Sequence, residues 1–310
     1  MKTLRQAVGD YLSLRRSLGF KLITHERYLR EFVCFLQKKK ISRISTQLAL
    51  QFATQPQHRQ PAEWATRLCV VRGFARYRSG DDLSTEIPPL GLLPYRAERA
   101  RPYLYSKEEI RQLLKAAQNL PATYSLKPST YHCLFGLLAV SGMRISEALN
   151  LQVKDVDWPE GVLTIHGTKF GKSRLVPLHA STRRVLLAYA KRRDRYFAGK
   201  SVSHFFVSSR GTRLDGGHVR RTFYKLSRQI GLRAASASHG PRLHDFRHRF
   251  AVETLVRWYR KDEDVARRLP ILSTYLGHAH VTDTYWYLTS TPELRGAAGK
   301  RMEKRWGGVL

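Results

Sequence analysis

Four prolines, Pro88, Pro89, Pro94 and Pro102, fall within residues 79–104, SGDDLSTEIPPLGLLPYRAERARPYL. Each lacks a backbone donor and biases the residue before it toward extended backbone, so no long helix or central strand can cross this stretch. The chain of 310 residues is therefore read as two folded parts with a connection between them. Residues 1–80 form a helical domain, 81–104 a linker and 105–310 a second, larger domain.

Apolar spacing on either side gives the fold class. In the first part Leu4, Val8 and Leu12 recur at helical intervals, and Tyr28, Leu29, Phe32, Val33 and Leu36 make a wide stripe. A third helix opens near Ser45 and a fourth after Pro61, a residue suited to a first turn. That last helix carries Trp64, Leu68, Val71 and Ala75 on one face and Arg67, Arg72, Arg76 and Arg78 on the others, so it is expected to pack and still face an anion. The reading is a small four-helix bundle.

In the second part Ser106 and Glu109 form a capping box ahead of a helix from Lys107 to about Gln118. Helices are expected near 129–141, 145–150, 181–196, 216–230, 245–258 and 292–305. Between Val153 and Leu178 the pattern shortens to GVLTIHG and SRLVPL around TKFGK, which reads as a β-hairpin. The class is mainly α with a small β-sheet, a helical bundle followed by a mixed α/β domain.

Charge narrows the partner. Lys and Arg number 55 against 24 Asp and Glu, a formal net charge of +31, and Arg outnumbers Lys more than twofold. Such self-repulsion inside folded domains is relieved by a polyanion, and forked guanidinium contacts suit phosphate, so nucleic acid is the expected partner. Hydrophobic residues at 42% exclude a disordered polycation. Cys34, Cys69 and Cys133 are odd in number and widely spaced, which argues against a disulfide framework and for a reducing compartment. The longest apolar runs are too short for a bilayer, and the N-terminus lacks a signal-peptide core. A cytoplasmic protein, associated with the nucleoid while on DNA and without a membrane partner, is expected.

Two lures can be set aside. GTKFGKS at 167–173 has three residues between its glycines where a P-loop needs four, and it lies between two strands, so ATP binding is rejected. HDFRH lacks the Glu of a zinc protease, and no carboxylate group suggests a two-metal nuclease, so neither metal nor other cofactor is expected.

What remains is a series of cationic residues in short contexts: SGMRISEAL around Arg144, TKFGKSRLVPL around Lys169, HDFRH with His244 and Arg247, YLGH ending at His278, and TYWYL with Tyr287. His244 and Arg247 are three apart on a helix and share a face. Two arginines, two histidines and a lysine around one phosphate would neutralise a pentavalent transition state. A tyrosine in line could attack phosphorus and form a phosphotyrosine.

At these residues the sequence resembles the tyrosine recombinases, or phage-integrase family. That family places an Arg in a TGLRISE-like box, a Lys in a β-hairpin, then His-x-x-Arg, Leu-Gly-His, and a Tyr about nine residues beyond. His278 to Tyr287 has that spacing. The boxes run in order through 105–290, while the N-terminal part matches the family's core-binding domain in size and position only. Met143 stands where leucine is usual, and the long interval from His244 to His278 suggests an insertion at RWYRKDEDVARR. The TYWYL–TPEL ending is most similar to integrase and transposase branches of mobile elements.

The resemblance implies a catalytic domain that cuts and rejoins double-stranded DNA at specific recombination sites. Tyr287 would be the nucleophile, giving a 3′-phosphotyrosyl link and a free 5′-hydroxyl, with Tyr285 its rival. Arg144 and Arg247 would hold the non-bridging oxygens. Lys169 would be the general acid, with Lys172 its competitor. His244 would assist in proton transfer, and His278 would donate to phosphate or partner the tyrosine. His248, His280 and Trp286 are left to support or packing. The family further implies two domains clamping the duplex, a homotetramer on two sites, a Holliday junction, and docking of 292–310, with Trp306 as anchor, on a neighbouring subunit. Accessory or sister recombinase proteins are possible partners. The competing readings are a type IB topoisomerase and a noncatalytic architectural protein.

Overall fold

The structure, a computed structural model, describes residues 2–55, 57, 60–94, 102–121, 125–166, 173–237, 239–288 and 292–307. It separates into two compact units, Met1–Ala100 and Arg101–Leu310.

The first unit contains α1 (Leu4–Ser17), α2 (Ile23–Lys38), α3 (Thr46–Thr54) and α4 (Pro61–Arg78). Thr3 and Gln6 form a capping box at α1, and the Ser45 hydroxyl accepts from the Leu48 amide at α3, so orphan donors are met at both starts. The expected stripe of α2 is the core: Leu29, Phe32 and Leu36 are fully buried with Phe52, Leu68, Val71 and Phe74. The arginines of α4 depart from the sequence reading. Arg67 is buried, its guanidinium 4.0 Å from the Phe52 ring centroid, and it donates to Glu31 Oε2 at 2.8 Å. Arg78 is buried as well, donating to the Lys2 carbonyl, while Arg72 donates to the carbonyls of Pro88 and Pro89. Of the four only Arg76 is exposed. The aliphatic stems of Arg67 and Arg78 lie buried in the bundle while their heads find carbonyls, a carboxylate or an aromatic ring. The part of the proline-bearing stretch up to Pro94 packs on this unit through those Arg72 bonds, the Glu86 contact with the Thr46 amide and the packing of Leu93.

The second unit contains α5 (Lys107–Gln118), α6 (Lys127–Ser141), α7 (Ile145–Asn150), strands β1 (Val156–Asp157), β2 (Val162–Ile165) and β3 (Arg174–Pro177), then α8 (Ala180–Tyr196), α9 (Gly216–Gln229), α10 (Asp245–Arg260), α11 (Val265–Leu276), α12 (Thr282–Leu288) and α13 (Pro292–Trp306). The strands pair antiparallel in the order β1-β2-β3, with Ile165 opposite Arg174, so the expected hairpin is present. Its tip, 167–172, lies outside the described residues. The Ser106–Glu109 capping box opens α5.

Two apolar clusters meet along α10. Leu134, Phe135, Leu138, Phe205, Phe206 and Phe223 pack with Phe246 of its first turn, whereas Ala251, Val252 and Leu255 pack with α11, Tyr287 and Leu294. Gly142 ends α6 at φ +61°, and a Cβ there would come within 2.7 Å of the Phe250 ring. RWYRKDEDVARR, expected as an insertion, is the last turn of α10, a short connection and the first turn of α11. Leu294 of α13 is buried, and Glu293 accepts from Arg260 of α10 at 2.6 Å, so this helix packs within its own chain. The Trp306 side chain lies outside the described residues. Among the described residues no helix is long and apolar enough to cross a membrane.

Candidate active site

Helix ends build the site. Arg144 stands two residues after Gly142, the glycine that stops α6, and is the residue ahead of α7. Its backbone N–H donates to Glu147 Oε2 at 2.8 Å, and its Nη1 donates to Glu147 Oε1 at 2.9 Å. Nη2 reaches the Gly277 carbonyl at 3.0 Å. Arg247 comes from the first turn of α10 and is 1% exposed. It donates from Nη1 to Gly142 O at 3.0 Å and from Nη2 to Leu276 O at 2.5 Å.

A third arginine, Arg174 of β3, donates from Nε to Tyr275 O at 2.7 Å. Carbonyls 275, 276 and 277 at the C-terminal end of α11 therefore each receive a different arginine. A helix C-terminus presents unpaired carbonyls and partial negative charge, so it gathers cations that would otherwise repel one another. Gly277, at φ +67°, keeps the space open: a Cβ there would lie 2.8 Å from Arg174 Nη1.

The histidines stand beside this cluster. His244 precedes α10, and its ring meets that of His248 edge-on, 4.7 Å between centroids. His278 follows Gly277, and its Nδ1 lies 2.7 Å from the hydroxyl of buried Thr284. Burial first, then the charges of Arg247 and Arg144, push His278 down to about 4. Burial followed by Arg247 lowers His244 too. Burial, reinforced by Arg144, brings Arg247 down to about 10. Both imidazoles are thus held neutral at physiological pH beside concentrated positive charge.

Tyr287 of α12 is buried at 3% exposure, its ring nearly parallel to His278 at 6.0 Å and tilted against His248 at 5.5 Å. Tyr285, two residues earlier, is 49% exposed. Five of the six residues singled out from the sequence, Arg144, His244, Arg247, His278 and Tyr287, thus converge. Lys169 lies outside the described residues. His248 and Trp286 pack on Tyr287, and His280 is exposed.

The sequence reading singled out neither Arg174 nor Glu147. The signal was present: Arg174 shares a strand face with buried Val176, and a charged residue on a core-facing position needs a buried partner. Among the described residues no group of three His, Cys, Asp or Glu side chains is arranged to hold a metal ion.

Guanidinium groups, two imidazoles and a tyrosine ring are thus brought together, an arrangement whose chemistry suits phosphoryl transfer to a tyrosine oxygen. The phage integrase family model matches residues 104–293. The protein y4rB of Sinorhizobium fredii, named for an integrase or recombinase, is 59% identical over 99% of both chains. A second protein of that organism, y4rE, named likewise, is 36% identical over 96% of this chain and 95% of its own. Among solved structures, the integrase of transposon Tn1549 with transposon right-end DNA superposes with a TM-score of 0.67 at 14% identity, covering 98% of this chain and 99% of that one. A lambda integrase tetramer on a Holliday junction gives 0.64 at 18% identity, covering 92% and 77%. The chain belongs to the phage integrase family, the tyrosine recombinases. Its activity is the one that defines them, breaking and rejoining DNA strands at specific sites.

Proposed function

We propose that this recombinase cuts duplex DNA through Tyr287 and serves the integration, excision or transposition of a mobile element. The observation that carries the reading is the gathering of Arg144 and Arg247 at the end of α11 with His278 and the Tyr287 ring beside them. The Tyr287 oxygen attacks phosphorus, the P–O5′ bond breaks, and the DNA 3′ end stays on the enzyme as a phosphotyrosine. Arg144 and Arg247 hold the non-bridging oxygens, where forked donors match two oxygens on one phosphorus. Lys169 protonates the departing 5′ oxygen. His244 takes part in proton transfer at the tyrosine. Neutral His278, with Thr284 on Nδ1, offers its other ring nitrogen to a phosphate oxygen.

The ester conserves the bond energy, so attack by a second 5′-hydroxyl reseals the strand and yields a Holliday junction. The lambda integrase tetramer on such a junction, with the same fold, supports assembly of this chain as a tetramer on two sites. In that assembly 1–80 acts as the core-binding domain and 105–310 as the catalytic domain, α13 leaves its own α10 for a neighbouring subunit, and accessory or sister recombinases set direction.

The test is covalent capture from a pool of nicked duplexes of random sequence, in EDTA, by the unmodified protein and by Tyr287→Phe and Tyr285→Phe. A protein–DNA adduct lost only with Tyr287→Phe is expected. An adduct that survives that change sinks the mechanism.

A further inference from the structure

Glu147 presents an electrostatic problem. It orients Arg144 through two hydrogen bonds, yet its carboxylate sits beside the cation that must attract a phosphate, and its side chain is only 6% exposed. A buried carboxylate is little screened by solvent, so it cancels much of the charge next to it and repels an incoming anion.

Arg174 answers that problem. Its Nη1 donates to Glu147 Oε1 at 3.0 Å and its Nη2 to Oε2 at 2.7 Å, a two-pronged pair. Each carboxylate oxygen then accepts one bond from Arg144 and one from Arg174. Nε of Arg174 is held by Tyr275 O, and its side chain is 7% exposed, so its donors point inward. The Arg144 side chain is 26% exposed. One arginine is enclosed as a counter-charge, and the other faces the space where a phosphate would sit.

We propose that Arg174 is a positioning residue for strand cleavage: it neutralises Glu147, so the carboxylate can aim Arg144 without cancelling its attraction for the scissile phosphate. This rests on the reading that Arg144 holds that phosphate. Arg174 makes no contact with DNA in this scheme and acts through Glu147. Its loss leaves an uncompensated negative charge behind Arg144 at the moment the transition state adds negative charge in front of it.

The test is single-turnover cleavage of a captured nicked duplex by Arg174→Gln, Glu147→Gln and the double variant, with affinity for that duplex and thermal unfolding followed for each. Arg174→Gln is expected to slow cleavage by about tenfold or more while affinity stays within about threefold. Adding Glu147→Gln removes the stranded charge, although its amide can accept only one of the two Arg144 bonds, and is expected to recover part of the lost rate, leaving the double variant faster than Arg174→Gln. If Arg174 only anchored β3 to α11, the double variant would be as slow as Arg174→Gln or slower, and that result overturns the proposal. Arg174→Gln cleaving at the unmodified rate overturns it too. Should Arg174→Gln fail to fold, Arg174→Lys decides: the kept charge still offsets Glu147 although one prong is lost, so cleavage within about tenfold of the unmodified protein is expected, and a greater loss overturns the proposal. Arg144→Gln separates the two levels. If it still cleaves, the reading of the site itself fails; if it is inactive while Arg174→Gln is not impaired, only the role of Arg174 falls.

Discussion

Neutral histidines among arginines have a measurable cost in acid. His278 is pushed from an ordinary value near 6.5 to about 4, so between those values the unfolded chain binds a proton that the folded chain refuses. Stability contributed this way is intact above pH 6.5 and falls as pH drops toward 4. Urea unfolding at pH 7 and pH 5 should therefore show a smaller acid loss for His278→Gln than for the unmodified protein; equal losses would contradict the assignment. Arg247 has the opposite balance. Arg247→Met forfeits charge-assisted bonds to two carbonyls, about 1.5–3 kcal/mol each, but also removes a charge that is costly to bury. The melting temperature should move by only a few degrees while cleavage disappears. The convergence of these residues was anticipated from short contexts such as HDFRH and YLGH. For Arg174 only a core-facing position was legible, beside Val176; its partner, 27 residues away, is brought near by the folded hairpin.

At the scale of elements, the glycine that stops α6 carries a strict requirement. Gly142→Ala places a methyl group 2.7 Å from the Phe250 ring at a positive φ, and should destabilise by about 1–3 kcal/mol in denaturant unfolding. Most helices followed from apolar spacing and caps, as the Ser106–Glu109 box ahead of α5 illustrates. Helix α11 did not. Pro270 lies inside it and charged residues precede it, both signs of a break in the sequence, yet Val265, Leu269, Leu272 and Leu276 bury one continuous face against α10 and α12. Tertiary burial outweighs the local cost. Helix α13 was legible as a helix but not in its placement on its own α10. Its release is testable: removing 292–310 should abolish cooperative assembly on two-site DNA in gel-shift titrations, and unchanged cooperativity would refute docking on a neighbour.

For the whole molecule, the formal charge of +31 overstates what DNA can meet. Arg67, Arg78, Arg193, Arg233, Arg247 and Arg249 are all buried, serving carbonyls, carboxylates or aromatic faces instead of solvent. Exposed Arg76 and buried Arg67, both on α4, should therefore differ in kind. If Arg76 grips phosphate, Arg76→Ala lowers the slope of log affinity against log salt by about one, whereas Arg67→Met lowers the melting temperature and leaves that slope unchanged. The two-part division and the nature of the partner were visible in proline placement and composition. Which arginines are spent inside was not, because a helical arginine reads alike whether it faces solvent or a neighbouring ring. One consequence reaches beyond this chain. Three successive carbonyls, of Tyr275, Leu276 and Gly277, each receive a different arginine, and each residue of helix turns its successors by about 100°. Inserting or deleting one residue in the last turn of α11 would hand these arginines the wrong carbonyls. Aligned relatives are therefore expected to keep that turn free of gaps and to place changes in length between His244 and His278 ahead of it, as in the connection at 261–264.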